Sequence, residues 1–156
     1  MLKKIIDQDV VKSPKNDAEW LDIKRIAQVE LTSEDPEFPI EGAFEEGGKG
    51  WRAAKPGKQL IRLIFNEPQK IRHFQLIFEE TQQERTQEFV LKWLPKNETN
   101  YQEIVRQQYN FSPSSATSEI ESFSVNLEGV TSIELFIIPD INQGDIHASL
   151  ASLRLT

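Results

Sequence analysis

The stretch Gln59-Leu60-Ile61-Arg62-Leu63-Ile64-Phe65-Asn66-Glu67-Pro68-Gln69-Lys70-Ile71-Arg72-His73-Phe74-Gln75-Leu76-Ile77-Phe78-Glu79 holds two alternating apolar runs around a polar break. Ile61, Leu63 and Phe65 share one face of the first run; Phe74, Leu76 and Phe78 share one face of the second. A period of two marks a half-buried strand, and Asn66-Glu67-Pro68-Gln69 has the composition of a turn. The passage therefore reads as two strands joined by a turn, with His73 on the sheet surface opposite Phe74 and Leu76.

The same period extends in both directions. Ala27, Val29 and Leu31 alternate with Gln28 and Glu30; Phe89, Leu91 and Trp93 are opposed by Glu88 and Lys92 until Pro95 and Asn97 break the strand. Val105, Tyr109 and Phe111 hold a weaker register. Phe123, Val125 and Leu127 precede the turn signal Glu128-Gly129. Ile133, Leu135 and Ile137 lie in a run apolar on both sides, which suits a central strand. Ala151, Leu153 and Leu155 close the chain. About eight strands with frequent turn signals specify an all-β antiparallel β-sandwich or jelly roll, because two half-apolar sheets satisfy each other by packing face to face. Long helical patterns between strands are absent, which excludes a doubly wound α/β fold. One brief helix is expected over 16–23, capped by Asn16 or Asp17 and carrying Trp20. The domain reading is an N-terminal arm and short helix over 1–25, with a possible strand in 2–11, packed on a β-sandwich domain over 26–156.

The 156 residues suffice for one two-layer core. A net charge of −7 opposes nucleic-acid binding, whose affinity comes from lysine and arginine on phosphate. No apolar run is long enough to span a membrane as a helix. Asp7 interrupts the apolar start, so no signal peptide is read there, and the sequons at Asn97 and Asn110 are taken as chance matches. With no cysteine, a reducing, cytoplasmic setting is the expectation.

Antiparallel order sorts the loops. Asn66–Gln69, Pro95–Asn100 and Glu128–Val130 fall at one end. The longer loops Glu80–Thr86, Ser112–Glu119 and Pro139–Asp145 fall at the other, joined by Glu34–Trp51 if the first strand pairs with the last. Binding function collects on long loops of a rigid scaffold, so this second end is the expected site. Its candidate ligand contacts are Trp51, Arg52, Glu80, Arg85, Asp140, Asn142 and His147. Aromatic faces stack on sugar C–H surfaces, and arginine and carboxylates bond hydroxyls, which suits a carbohydrate or another small polar ligand.

Seven carboxylates and no base lie between Glu30 and Gly48. A solvated loop is the plain reading of this run; a cation-binding loop is the sharper one. Gly47-Gly48-Lys49-Gly50 reads as a flexible turn before Trp51. No nucleophile elbow, phosphate loop or His/Cys metal spacing is present. Glu79 and Glu80, as neighbours on a strand, are expected on opposite faces, unable to flank one glycosidic bond. The chain reads as a non-enzyme that needs no cofactor.

One stretch resembles a known family. Leu31-Thr32-Ser33-Glu34-Asp35-Pro36, then Ile40-Glu41-Gly42-Ala43-Phe44-Glu45-Glu46-Gly47 and Gly50-Trp51-Arg52-Ala53, resembles the discoidin or coagulation-factor C-type module among the galactose-binding-like β-sandwiches. Leu63–Ile71 and Leu150-Ala151-Ser152-Leu153 are similar to later strands of that module, so the resemblance spans about residues 26–155. Trp51–Lys58 also resembles part of the N-terminal domain of an X-ray-repair scaffold protein. The resemblance implies a binding module, with Trp51 packed beneath its loop. It also implies candidate calcium ligands at Glu41 and Glu45. Glu45 stands where the family often has aspartate and Ser152 where it often has glutamate, which weighs against calcium. The first function expected is carbohydrate binding; the alternative is an intracellular protein-interaction module.

Overall fold

Gln59 to Glu79 forms one strand, not two. The computed structural model describes Lys3 and residues 20–156. The expected strand in 2–11 and the start of the expected helix lie outside them, Lys3 alone excepted. In chain order the elements are α1 (Ile23–Ile26), β1 (Ala27–Leu31), α2 (Glu41–Phe44), β2 (Trp51–Pro56) and β3 (Gln59–Glu79). Then come β4 (Arg85–Pro95), β5 (Gln102–Phe111), β6 (Ser118–Ile138), β7 (His147–Leu150) and β8 (Ser152–Leu155). Of the helix read over 16–23, the described residues 20–22 are not helical, and Ile23 opens the single turn α1. Ile23 is its buried residue, and the chain is already extended at Ala27.

The polar break in β3 is a corner. Its ladder with β6 shifts register between Ile64 and Gln69, between Gln69 and Ile71, and between Ile71 and His73. Such irregularities bend a strand and change which residues face inward. Accordingly the buried apolar positions run Ile61, Leu63, Phe65 before the corner and Phe74, Leu76, Phe78 after it. The partner strand β6 passes continuously through Glu128-Gly129, where Gly129 takes φ 64°. These two turn expectations are therefore corrected to bends in a long antiparallel pair.

The bend makes two layers out of one ladder. The first half of β3 and the second half of β6 lie in a sheet of order β1-β3-β6-β4-β5, while β8 pairs with the second half of β3 at Phe74–Ile77. Phe78 of β3 packs on Phe89 of β4, ring centroids 5.3 Å apart, although these strands do not pair. Gln87 of β4 likewise reaches Glu119 of β6 by a buried hydrogen bond of 3.1 Å. These contacts cross the sandwich, which is the fold expected from the alternation. β6 lies between β3 and β4, as its two-sided apolar run requires. On the outer face, paired residues Glu30, Arg62, Glu134, Lys92 and Glu103 alternate in sign across five strands.

His73 is not a surface residue; only 3% of it is exposed. Its ring lies 6.1 Å from that of Trp20, and its Nε2 is 2.8 Å from Ser122 Oγ. Alternation placed it correctly on the outer face, and Trp20 covers that face there. The first strand pairs with β3, not with the last strand. The loop after β1 still reaches the predicted end, because Leu31 pairs with Ile61, two residues from the start of β3.

Candidate functional site

A two-stranded ribbon builds one wall of the site. Trp51 pairs with Leu150 and Arg52 with Ser149, while Pro56 pairs with His147 beyond an irregularity. Alternation sends Trp51, Ala53, Ala148 and Leu150 into the core, where each is at most 1% exposed. Arg52 and Ser149 consequently face outward, with His147 on the same side of β7. The opposing wall is the end of β3 and the loop leading to β4. Between them lies an open cleft of about 410 Å³, lined by Phe38, Arg52, Glu79, Glu80, Thr81, Gln82, Gln83, His147 and Ser149. This volume falls within the range of small-molecule sites.

Each polar group has a defined support. Arg52 is held through its backbone: its N–H donates to Phe38 O at 3.1 Å, and its carbonyl accepts from Asp35 N at 2.8 Å. Its guanidinium makes no hydrogen bond or ion pair with the described residues. His147 Nδ1 lies 3.0 Å from Ala53 O. A carbonyl only accepts, so Nδ1 carries the hydrogen and Nε2 of the neutral ring remains an acceptor. Glu80 accepts from Arg85 Nε at 2.7 Å and from Gln82 N at 3.1 Å. Burial works to raise the Glu80 carboxyl, but these bonds outweigh it and hold its pKa below the usual value.

The sequence-derived site set therefore separates. Arg52, Glu80 and His147 line the one cleft. Trp51 does not present a stacking face: it is 1% exposed, and its Nε1 donates to Ser33 O at 3.1 Å. Consecutive strand residues point to opposite faces, so the Trp51 ring and the Arg52 guanidinium leave β2 on opposite sides. Arg85 lies beneath the cleft, 3% exposed, and donates from Nη1 to Gln87 Oε1 and to Pro139 O. Its guanidinium also sits 4.6 Å from the centre of the Phe111 ring. Asp140 is buried and shapes its own loop, accepting from Asn142 N at 3.0 Å. Asn142 is exposed but lines no part of the cleft.

The acidic loop does not assemble a cation cage. Glu45 pairs with Lys24 at 2.6 Å, Glu34 accepts from Ile40 N at 2.7 Å, and Asp35 accepts from Glu37 N at 2.9 Å. Among the described residues no three His, Cys, Asp or Glu side chains converge, and of the two expected ligands Glu41 and Glu45 the second is paired with Lys24. The glycine cluster is likewise no loose turn. A Cβ on Gly48 would lie 2.2 Å from Gly42 O, and one on Gly50 (φ 80°) 2.9 Å from Leu150 O.

Sequence reasoning missed Phe38, Glu79, Thr81, Gln82, Gln83 and Ser149. Phe38 stands between Glu37 and Pro39 in an acidic loop, and an aromatic in that setting was a readable signal. Glu79 and Glu80 both line the cleft because β3 ends at Glu79, where strand alternation ceases to govern.

No family model and no curated protein matches the sequence. Solved structures do match the fold. A family 32 carbohydrate-binding module of NanJ from Clostridium perfringens, in complex with galactose, aligns at a TM-score of 0.59 and 13% identity, over 83% of this chain and 92% of that one. A second such module from C. perfringens, in complex with GalNAc-β-1,3-galactose, aligns at 0.58 and 18% identity, over 88% and 99%. An F5/8 type C domain of a Bacteroides fragilis protein aligns at 0.59 and 12% identity, over 87% and 93%. The discoidin-like resemblance is borne out at the level of architecture: the chain has the β-sandwich fold of the F5/8 type C and family 32 carbohydrate-binding modules.

Proposed function

We propose that the chain is a non-catalytic carbohydrate-binding module and that the cleft between the β2–β7 ribbon and the β3–β4 loop receives the sugar. The observation that carries this reading is the convergence of Arg52, Glu79 and His147 beside Phe38 in one open cleft. The guanidinium supplies fixed donors, the carboxylate and the His147 Nε2 supply acceptors, and Gln82 and Gln83 supply both. Phe38 adds a half-buried ring against which a pyranose C–H face can lie. The sandwich neighbours that hold saccharides support the same reading.

A glycan array followed by calorimetric titration of the hits tests it. At least one glycan is expected to bind the folded chain, and Arg52→Ala and His147→Ala are each expected to weaken it about tenfold or more. Absence of binding to every glycan, together with recovery of a specific protein partner, would favour the interaction-module alternative.

A further inference from the structure

The cleft does not stop at Arg52. A second, shallower hollow of about 140 Å³ continues past it, lined by Trp51, Lys49, Leu150 and Ala151. The two hollows share Phe38, Arg52, Glu79 and Ser149, so they are consecutive parts of one groove. We infer that this groove takes an oligosaccharide of at least two units, with an anionic sugar, a uronate or a sulfate ester, at the Lys49–Arg52 end. The inference rests on the saccharide reading above and adds length, direction and charge to it.

Charge distribution gives the groove its direction. At the far end Glu80 is bonded to the buried Arg85, so that carboxylate is already compensated within the protein. At the near end Lys49 and Arg52 are both exposed, and neither has an ion-pair partner among the described residues. Among the described residues, Glu79, shared by both hollows, is the one acid lining that end. The whole chain carries −7, so an unpaired cation pair in a concave site stands against the general field. Guanidinium and ammonium groups bond carboxylate or sulfate oxygens more strongly than neutral hydroxyls.

Lys49 is also held at a set point. Gly48 N donates to Glu45 O at 3.2 Å and Gly50 N to Gly42 O at 3.2 Å, so both flanking peptides are tied down. Gly48 lies against the Gly42 carbonyl and Gly50 against that of Leu150, approaches that a side chain would obstruct. The loop fixes where the lysine stem emerges, which lowers the entropy lost when a ligand orders it.

Calorimetric titration of the chain with β-1,4-galactobiose, digalacturonate and a sulfated galactobiose at low ionic strength tests the inference. At least one anionic disaccharide is expected to bind roughly tenfold more tightly than the neutral one. That advantage should shrink in Lys49→Gln and again in 0.5 M salt. Preference for digalacturonate alone identifies the carboxylate, for the sulfated sugar alone the sulfate, and for both the charge. Equal affinity for neutral and anionic sugars overturns the inference and leaves the saccharide reading standing. An anionic preference unchanged in Lys49→Gln overturns the assigned end. Failure of all three disaccharides, and of every array glycan, removes both readings.

Discussion

Arg85 Nε donates to Glu80 Oε1 at 2.7 Å, so a buried guanidinium supports a carboxylate that lines the cleft. The same guanidinium bonds Gln87 and the Pro139 carbonyl, tying the β3–β4 loop to β4 and to the loop after β6. The loop of the cleft wall is thus fixed from below by one side chain. Its conformation is a property of the core network as much as of its own residues.

Removing that support is expected to be costly. Arg85→Ala leaves Glu80, Gln87 and Pro139 O without their partner, and loss of one member of a buried pair costs about 3–5 kcal/mol. Arg85→Lys keeps the charge but not the planar fork, and should recover only part of the loss. Urea unfolding of both variants checks this; a change below about 1 kcal/mol in Arg85→Ala would contradict the supporting role.

Trp51 and Arg52 should separate cleanly. Trp51→Phe loses the Nε1 bond to Ser33 O and some packing, which costs about 1–3 kcal/mol while sugar affinity of the folded protein stays close to wild type. Arg52→Ala should change stability by less than about 0.5 kcal/mol and abolish most sugar binding. Thermal unfolding and titration on the same two proteins give the comparison. Equal loss of binding in both would mean that Trp51 touches the ligand.

Glu119 predicts a pH dependence. It is 2% exposed and accepts one bond from Gln87, while its Oε2 is buried with no hydrogen-bond partner among the described residues. Burial, and then the neighbouring Glu121 carboxyl, push its pKa up to about 8; the bond from Gln87 and the charge of Arg85 oppose this. A carboxyl raised in the folded state binds more protons folded than unfolded. Its contribution is therefore complete below the unfolded carboxylate range and is lost as pH rises towards 8, at up to about 1.4 kcal/mol per pH unit. Glu119→Gln removes this titration, so its stability relative to wild type should grow from pH 5 to pH 8 and then level off. Parallel stability curves over that window would refute the assignment.

The glycine loop should be intolerant of side chains. Gly50→Ala must adopt φ 80° with its Cβ against the Leu150 carbonyl, which is expected to destabilise the fold by about 1–3 kcal/mol. Gly47→Ala shares the positive φ but meets open space, and should cost less. Unfolding of the pair shows whether the loop is packed or merely flexible; similar small losses in both would favour flexibility.

How legible this was depended on which rule each residue obeyed. The faces of β3, β4 and β6 followed alternation, and the loops sorted to the right ends even though two supposed turns are corners. A corner in a long strand pair has the same polar, proline- or glycine-bearing composition as a turn, so Asn66–Gln69 and Glu128-Gly129 could not be told apart from hairpin ends by local chemistry. His73 was misjudged because its cover comes from Trp20, distant in sequence. Arg85 and Asp140 read as exposed polar loop residues, whereas long-range bonds bury them. Arg52 and His147 were legible as solvent-facing groups near the chosen end. Phe38 and Glu79 emerge only once the ribbon is seen to face the β3 terminus.

The most direct test of the cleft is a heteronuclear NMR titration with a glycan that binds on the array. The largest shift changes are expected at Phe38, Arg52, Glu79–Gln83 and His147–Ser149, with the opposite end around Pro95–Tyr101 unmoved. Changes centred on Pro95–Tyr101 or on the outer face around Arg62 and Glu134, with the cleft silent, would contradict the account.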